Sequence, residues 1–190
     1  MASYGKRGDR FRFYEINPDV LHVAHEHFSY LADARDRGAD VGTLLGDARL
    51  VLERQRDSGD VQGFDVLVLD AFSSDAIPIH LLTQECFQLY WAHMAEDGII
   101  AVNISNRHLD LRPVVLALAQ LLQLEALLIE SFDEDEAGVD AADWVLLTRN
   151  QEFIEFEDVL LETSAFLNDE VEPLLWRDDF SSVYALLMRD

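Results

Sequence analysis

Phe64-Asp65-Val66-Leu67-Val68-Leu69-Asp70 is the stretch on which the reading of this chain turns. Its centre is apolar at consecutive rather than alternate positions, and it runs from Gly63 to a carboxylate. A run this short and continuous suits a parallel strand that helices cover on both faces. It predicts a central strand over Phe64 to Leu69, with Asp70 at its carboxyl end.

Toward the amino end, Val41 to Leu45 reads as a strand and Ala48 to Arg54 as a short helix, with Arg10 to Ile16 as the first strand. Asn17-Pro18-Asp19 follows that strand, where Asn17 can cap a helix and Pro18 can occupy its first turn without forfeiting a needed donor. Val20, Ala24, Phe28 and Leu31 then recur at helical spacing along one face. Toward the carboxyl end, Leu81 to Met94 and Arg112 to Leu122 read as helices, and Gly98 to Ile104, Glu125 to Glu130 and Trp144 to Thr148 as strands. Asp133 to Asp143 is an acidic turn, and an acidic helical tail from Asn150 leads to Trp176-Arg177-Asp178-Asp179-Phe180-Ser181. Strands alternating with helices predict one α/β domain over residues 1–190, built on a doubly wound, mainly parallel sheet.

The 190 residues are 49% apolar, enough for one domain with a real core. They carry 37 acidic against 14 basic side chains, a formal charge of -23, and Lys6 is the only lysine. Phosphate binding needs clustered positive charge, so the composition argues against nucleic acid as a partner. An acidic surface steers cations inward instead. Cys86 is the single cysteine, which rules out a disulfide within the chain and fits an intracellular, cytoplasmic setting. The amino end lacks the apolar segment of a secretory signal. The longest apolar stretch, Val114 to Ile129, is interrupted by Gln120, Gln123 and Glu125, and reads as a core helix and a strand rather than a membrane span.

In an open parallel sheet, ligands bind where strands end, because loops and helix amino ends converge there. The strand ends carry Glu15, Asp47, Asp70 and Asn103. Each has an ordinary alternative as a cap on the following helix. Glu15 also has a specific use, since an acid after the second strand of a nucleotide-binding sheet accepts hydrogen bonds from ribose hydroxyls. Its usual glycine-rich loop would lie before Met1, and Gly5-Lys6-Arg7-Gly8 is a turn rather than a cradle. The sequence therefore reads as lacking the first strand and the glycine-rich loop.

Phe13-Tyr14-Glu15-Ile16-Asn17-Pro18, Gly46-Asp47-Ala48-Arg49, Leu69 through Pro78 and Ile104-Ser105-Asn106-Arg107, in that order, resemble the spermidine synthase (polyamine aminopropyltransferase) family. The resemblance is nearest to a bacterial branch whose synthase-like domain is often fused behind membrane helices, and it extends to Trp176 through Ser181. It implies a methyltransferase-like Rossmann fold that transfers an aminopropyl group from decarboxylated S-adenosylmethionine to a diamine such as putrescine, leaving methylthioadenosine. It implies no metal and no membrane contact by this chain itself, with homodimerisation possible. By the same resemblance, Glu15 binds the ribose, Asp47 with Ala48 holds the adenine edge, and Asp70 is the catalytic carboxylate. Ser73, Ser74 and Asp75 help to hold the amine. The second acid departs in spacing, at five residues after Asp70 where better-studied relatives have three.

Carboxylates suit that chemistry. An aliphatic ammonium, with a reference pKa of about 10, must lose a proton before it can attack carbon. A carboxylate can bind the cation, orient one nitrogen and take the proton. Two alternatives stand beside this reading: a methyltransferase using S-adenosylmethionine on the same fold, and a non-catalytic or partner-completed domain. His22, His25 and His27 do not make a metal site, because on a helix only His22 and His25 share a face and no cysteine supports them. The acidic turn from Asp133 lacks oxygen ligands where a calcium loop needs them, at Ala137 and Trp144.

Overall fold

The computed structural model describes residues 1–71, 78–106, 108–131, 141–167 and 171–187. The chain divides into two compact units, Met1–Asp60 and Val61–Asp190.

In the first unit, β1 (Arg10–Glu15) pairs in parallel with β2 (Asp40–Leu45), with Glu15 opposite Leu45. The connection contains two helices, α1 (Pro18–Glu26) and α2 (Tyr30–Asp36), and α3 (Ala48–Asp57) follows β2. Asn17 caps α1 by accepting the Asp19 N–H at 2.9 Å, with Pro18 in the first turn. The single helical face running from Val20 to Leu31 is not what forms. α1 stops where the His27 N–H meets the Val23 carbonyl, and the chain restarts at Ser29, whose hydroxyl bonds Asp33 at 2.7 Å. Val20 and Phe28 are consequently exposed, while Leu31 is buried with Ala2, Ala34, Ala39 and Val41. Phe11, Phe13, Ala24 and Tyr30 pack against that small core.

The second unit holds a five-stranded sheet in the order β3 (Phe64–Leu69), β4 (Met94–Asn103), β6 (Asp143–Thr148), β5 (Glu125–Glu130), β7 (Ala165–Phe166). β3 and β4 are parallel, and β6 is inserted antiparallel between β4 and β5. β3, β4 and β5 therefore share one direction, and the mainly parallel sheet read from the sequence is present in a mixed α/β architecture.

α4 (Gln84–Ala92) follows β3 and α5 (Arg112–Leu122) follows β4. α4 is shorter than the helix expected from Leu81 to Met94, because Ile79–Leu81 forms a separate tight turn and Met94 already belongs to β4. Cys86, Phe87, Leu89 and Tyr90 bury one face of α4, so Cys86 is the small core residue expected. α5 is buried at every position from Val114 to Ala119, as suits a helix covered all round. It packs on β5 and α4. Beyond β6, among the described residues of the expected tail, the α-helices are α6 (Gln151–Ile154) and α7 (Glu157–Glu162), with a single 3-10 turn at Tyr184–Leu186. No described helix is long and apolar enough to cross a membrane.

Candidate active site at the strand ends

In the first unit, the carboxyl ends of β1 and β2 are joined by the Gly46 N–H donating to the Glu15 carbonyl at 2.8 Å. Gly46 has φ of 142°, a left-handed conformation that L side chains rarely adopt, and a Cβ there would approach Val51 to 3.2 Å. This turn brings Glu15 to the same sheet end as Asp47 and Ala48. One oxygen of Glu15 accepts the Asn17 N–H at 2.8 Å, which orients the carboxylate over the start of α1. Asp47 caps α3 by accepting from Leu50 N at 3.1 Å, so its ordinary alternative role is real. Ala48 is the first residue of α3, in the turn whose amides have no intrahelical acceptor. Next to Glu15, Tyr14 bonds Gln55 at 3.0 Å, and burial raises its phenol above the usual value.

In the second unit, Asp70 stands exposed just past β3, and Asn103 closes the neighbouring β4. The Asn103 Nδ2 donates to Asp70 Oδ1 at 2.9 Å, while Asn103 Oδ1 accepts the Ser105 N–H at 3.0 Å. Register extends the same rim across the sheet. β6 begins at Asp143 and β5 ends at Glu130, which are paired with each other, and Trp144 pairs with Asn103. Strands lie about 4.8 Å apart, so Asp70, Asn103, Asp143 and Glu130 follow one another in single-strand steps.

Charge on this rim is uneven. Burial raises the Asp143 carboxyl above its ordinary value, and the Glu130 charge adds to this against the pull of Arg112. Arg112, the first residue of α5, grips Asp110 with Nε and Nη2, each at 2.8 Å. Burial pushes Asp110 up, but its bonds to Arg112 outweigh this and hold it below the usual carboxylate range.

The structure thus groups Glu15 with Asp47 and Ala48, and separately Asp70 with Asn103. Ser73, Ser74 and Asp75 lie outside the described residues, as does most of the acidic turn after Asp133. Asp143 is not legible as a rim residue from the sequence, because only the reversed direction of β6 puts it where β4 and β5 finish, whereas Glu130 ends its own strand β5 just as Glu15 ends β1. Among the described residues no group of His, Cys, Asp and Glu has the arrangement of a metal site. His22 pairs with Glu26 at 3.4 Å, one helical turn away on an exposed surface.

No protein-family model matches the chain. Parts of it are similar to two curated proteins. The N-terminal histidine N-methyltransferase of Emericella nidulans is 30% identical over 92 residues, which are 48% of this chain and 15% of that protein. The polyamine aminopropyltransferase of Vibrio vulnificus is 33% identical over 89 residues, 47% of this chain and 27% of that protein. The chain thus matches well under a third of the length of either relative. A spermidine synthase solved in complex with the transition-state analogue AdoDATO superposes with a TM-score of 0.53 at 12% identity, over 83% of this chain and 58% of that one. The fold is accordingly the methyltransferase-like Rossmann type found in spermidine synthase.

Proposed function

We propose that this chain is the catalytic part of an aminopropyltransferase, moving an aminopropyl group from decarboxylated S-adenosylmethionine to a diamine such as putrescine. The observation that carries the reading is Asp70: an exposed carboxylate at the end of a parallel strand, oriented by the Asn103 amide. Asp70 binds the ammonium, and takes its proton as the nitrogen attacks the carbon next to the sulfonium. A new C–N bond forms, the C–S bond breaks, and its electron pair leaves with sulfur as neutral methylthioadenosine. Glu15 receives the ribose hydroxyls of the donor, and Asp47 with Ala48 meets its adenine edge. Ser73, Ser74 and Asp75 contribute to the amine site.

Much of the rate gain in such a step comes from alignment, with the carboxylate supplying the proton acceptor. The resemblance and the Vibrio vulnificus protein support the donor and the substrate class. The test is release of methylthioadenosine from decarboxylated S-adenosylmethionine and putrescine, with Asp70→Asn as the control; equal rates in both proteins would remove Asp70 from the chemistry.

Two observations favour other outcomes of the same assay. Similarity to a histidine methyltransferase supports methyl transfer from S-adenosylmethionine, for which a methylated acceptor is the expected product. Among the described residues the strands form two separately hydrogen-bonded sheets and β3 pairs with β4 alone, which supports a domain that becomes active after gaining a strand from another chain. Product from neither donor, with binding of methylthioadenosine also absent, would favour this last reading.

A further inference from the structure

Two serines hold the point where β6 enters the sheet. Ser131 follows β5, and its Oγ accepts the Ala142 N–H at 2.9 Å. Ser105 lies just past the end of β4, and its Oγ accepts the next N–H along, that of Asp143, also at 2.9 Å. The Ile104 N–H donates to the Asp143 carbonyl at 2.8 Å, and a regular antiparallel exchange would return the Asp143 N–H to a main-chain carbonyl. Here it goes to the serine hydroxyl instead, so a side chain closes the β4–β6 ladder just beyond Asn103 and Trp144, its last paired residues. Ser105 has a second bond on the site. Its own N–H donates to Asn103 Oδ1 at 3.0 Å, and Asn103 Nδ2 donates to Asp70 Oδ1 at 2.9 Å. Asp143, Ser105, Asn103 and Asp70 are thus joined by three direct hydrogen bonds in series. A carboxamide whose oxygen is taken by an N–H must turn its nitrogen the other way. The aim of Asn103 is therefore as firm as the backbone that supplies that N–H, and the Ser105 hydroxyl anchors this backbone to β6.

We infer that Ser105 is a positioning residue for the Asp70–Asn103 pair: its hydroxyl ties the exit of β4 to β6, and its N–H, held by that tie, sets the direction of the Asn103 amide. Ser131 makes the same kind of bond from the β5 side, two strands away from Asn103, and is the natural comparison. Loosening the entry of β6 in general would implicate both serines, whereas aiming Asn103 falls to Ser105. The inference rests on the reading of Asp70 given above, since alignment of that carboxylate is what Ser105 serves.

The test compares Ser105→Ala, Ser105→Thr and Ser131→Ala in the full chain. The first readout is the Asn103 side-chain amide in a 15N-correlated NMR spectrum, which reports its bonds without any turnover. Ser105→Ala moves that signal toward the position of an unbonded amide. Ser105→Thr, which keeps the hydroxyl, leaves it near the parental position, and so does Ser131→Ala. The second readout is kinetic: kcat for aminopropyl transfer falls about fivefold in Ser105→Ala, the effect of one hydrogen bond, with the KM for the nucleoside donor unchanged, and Ser105→Thr restores it. The Leu116 amide, in the buried middle of α5, reports global folding. Should Ser105→Ala fail to fold, Ser105→Cys, whose sulfur is a weak acceptor, takes its place with the same expected shift. A parental Asn103 signal in Ser105→Ala overturns the inference, as does an equal shift in Ser131→Ala or a Ser105→Thr protein that behaves like Ser105→Ala. If the signal moves as expected but the parent transfers no aminopropyl group, the positioning stands and the proposed reaction falls. If the parent is active and the signal stays put, the reaction stands and Ser105 has no part in it.

Discussion

Asn103 can face Asp70 in only one way. Its Oδ1 accepts a backbone N–H from Ser105, a bond that an amide nitrogen could not accept, so its Nδ2 is the atom turned to Asp70 at 2.9 Å. Asp70 Oδ1 is therefore the acceptor toward Asn103. An oriented carboxylate at a strand end is the feature from which the first prediction follows.

Asp70→Asn keeps the shape of the side chain and removes its capacity to take a proton. Methylthioadenosine release should fall by roughly 10²- to 10⁴-fold, the usual contribution of a positioned acid or base. Asn103→Ala leaves the carboxylate in place but unoriented, and a smaller loss is expected in the same assay. A larger loss from Asn103→Ala than from Asp70→Asn would reverse their roles.

Glu15→Gln separates charge from architecture. The glutamine Oε1 can still accept the Asn17 N–H, so the start of α1 should be preserved. What is lost is a charged acceptor for ribose hydroxyls. Calorimetric affinity for methylthioadenosine should drop by about tenfold or more, with little change in melting temperature. Unchanged affinity would take Glu15 out of the nucleoside site.

Two neighbouring acids should give pH signatures of opposite sign. Asp143 has a raised carboxyl, so its ionised form is disfavoured by folding, and that cost is complete at neutral pH, above both its folded and unfolded values. Asp143→Asn should raise the melting temperature at pH 7, and the gain should vanish as pH falls below the ordinary carboxylate range. Asp110 is held below that range by its bonds to Arg112, which outweigh the effect of burial. Its stabilisation is present above the unfolded value of about 3.9 and is lost as pH falls through the lower folded one. Asp110→Asn should therefore lower the melting temperature at pH 7 and have little effect in strong acid. Thermal scans of both variants from pH 3 to pH 7, as an approximate span around that value, check the two signs together.

Trp176 is buried, and its Nε1 has no hydrogen-bond partner among the described residues. Trp176→Phe forfeits packing but no hydrogen bond, and also removes an unpaired donor from the interior. Trp176→Ala opens a cavity and should cost about 3 to 5 kcal/mol, lowering the melting temperature by roughly 10 °C. The phenylalanine variant should lie much nearer the parent. Equal losses would mean that the indole nitrogen is bonded after all.

The parts of the fold that sequence makes plain are those with local causes. Phe64–Leu69, Arg112–Leu122 and Glu125–Glu130 have the same bounds in both readings, because a continuous apolar strand, a proline-opened helix and a short apolar run declare themselves within a few residues. Asn17 and Pro18 likewise mark the start of α1. The break after His27 is hidden, since Val20, Ala24, Phe28 and Leu31 keep a helical period even though Phe28 ends up 58% exposed. Periodicity also carries no direction, so Trp144 to Thr148 could be recognised as a strand without revealing that it runs backward. For the site, the strand-end acids could be read because Glu15 closes β1 and Asp47 and Asp70 come within two residues of the ends of β2 and β3. The bond from Asp143 to Ser105 and the rim position of Asp143 depend on residues far apart in the chain, and nothing local encodes them.

The reversed β6 also sets an order of assembly. β5 has no ladder to β4, and meets the larger sheet only through β6, which the ribosome makes later. β6 is thus the link that ties β5 to the parallel β3–β4 pair, and a chain lacking Asp143 to Thr148 would lose the ladder that joins them.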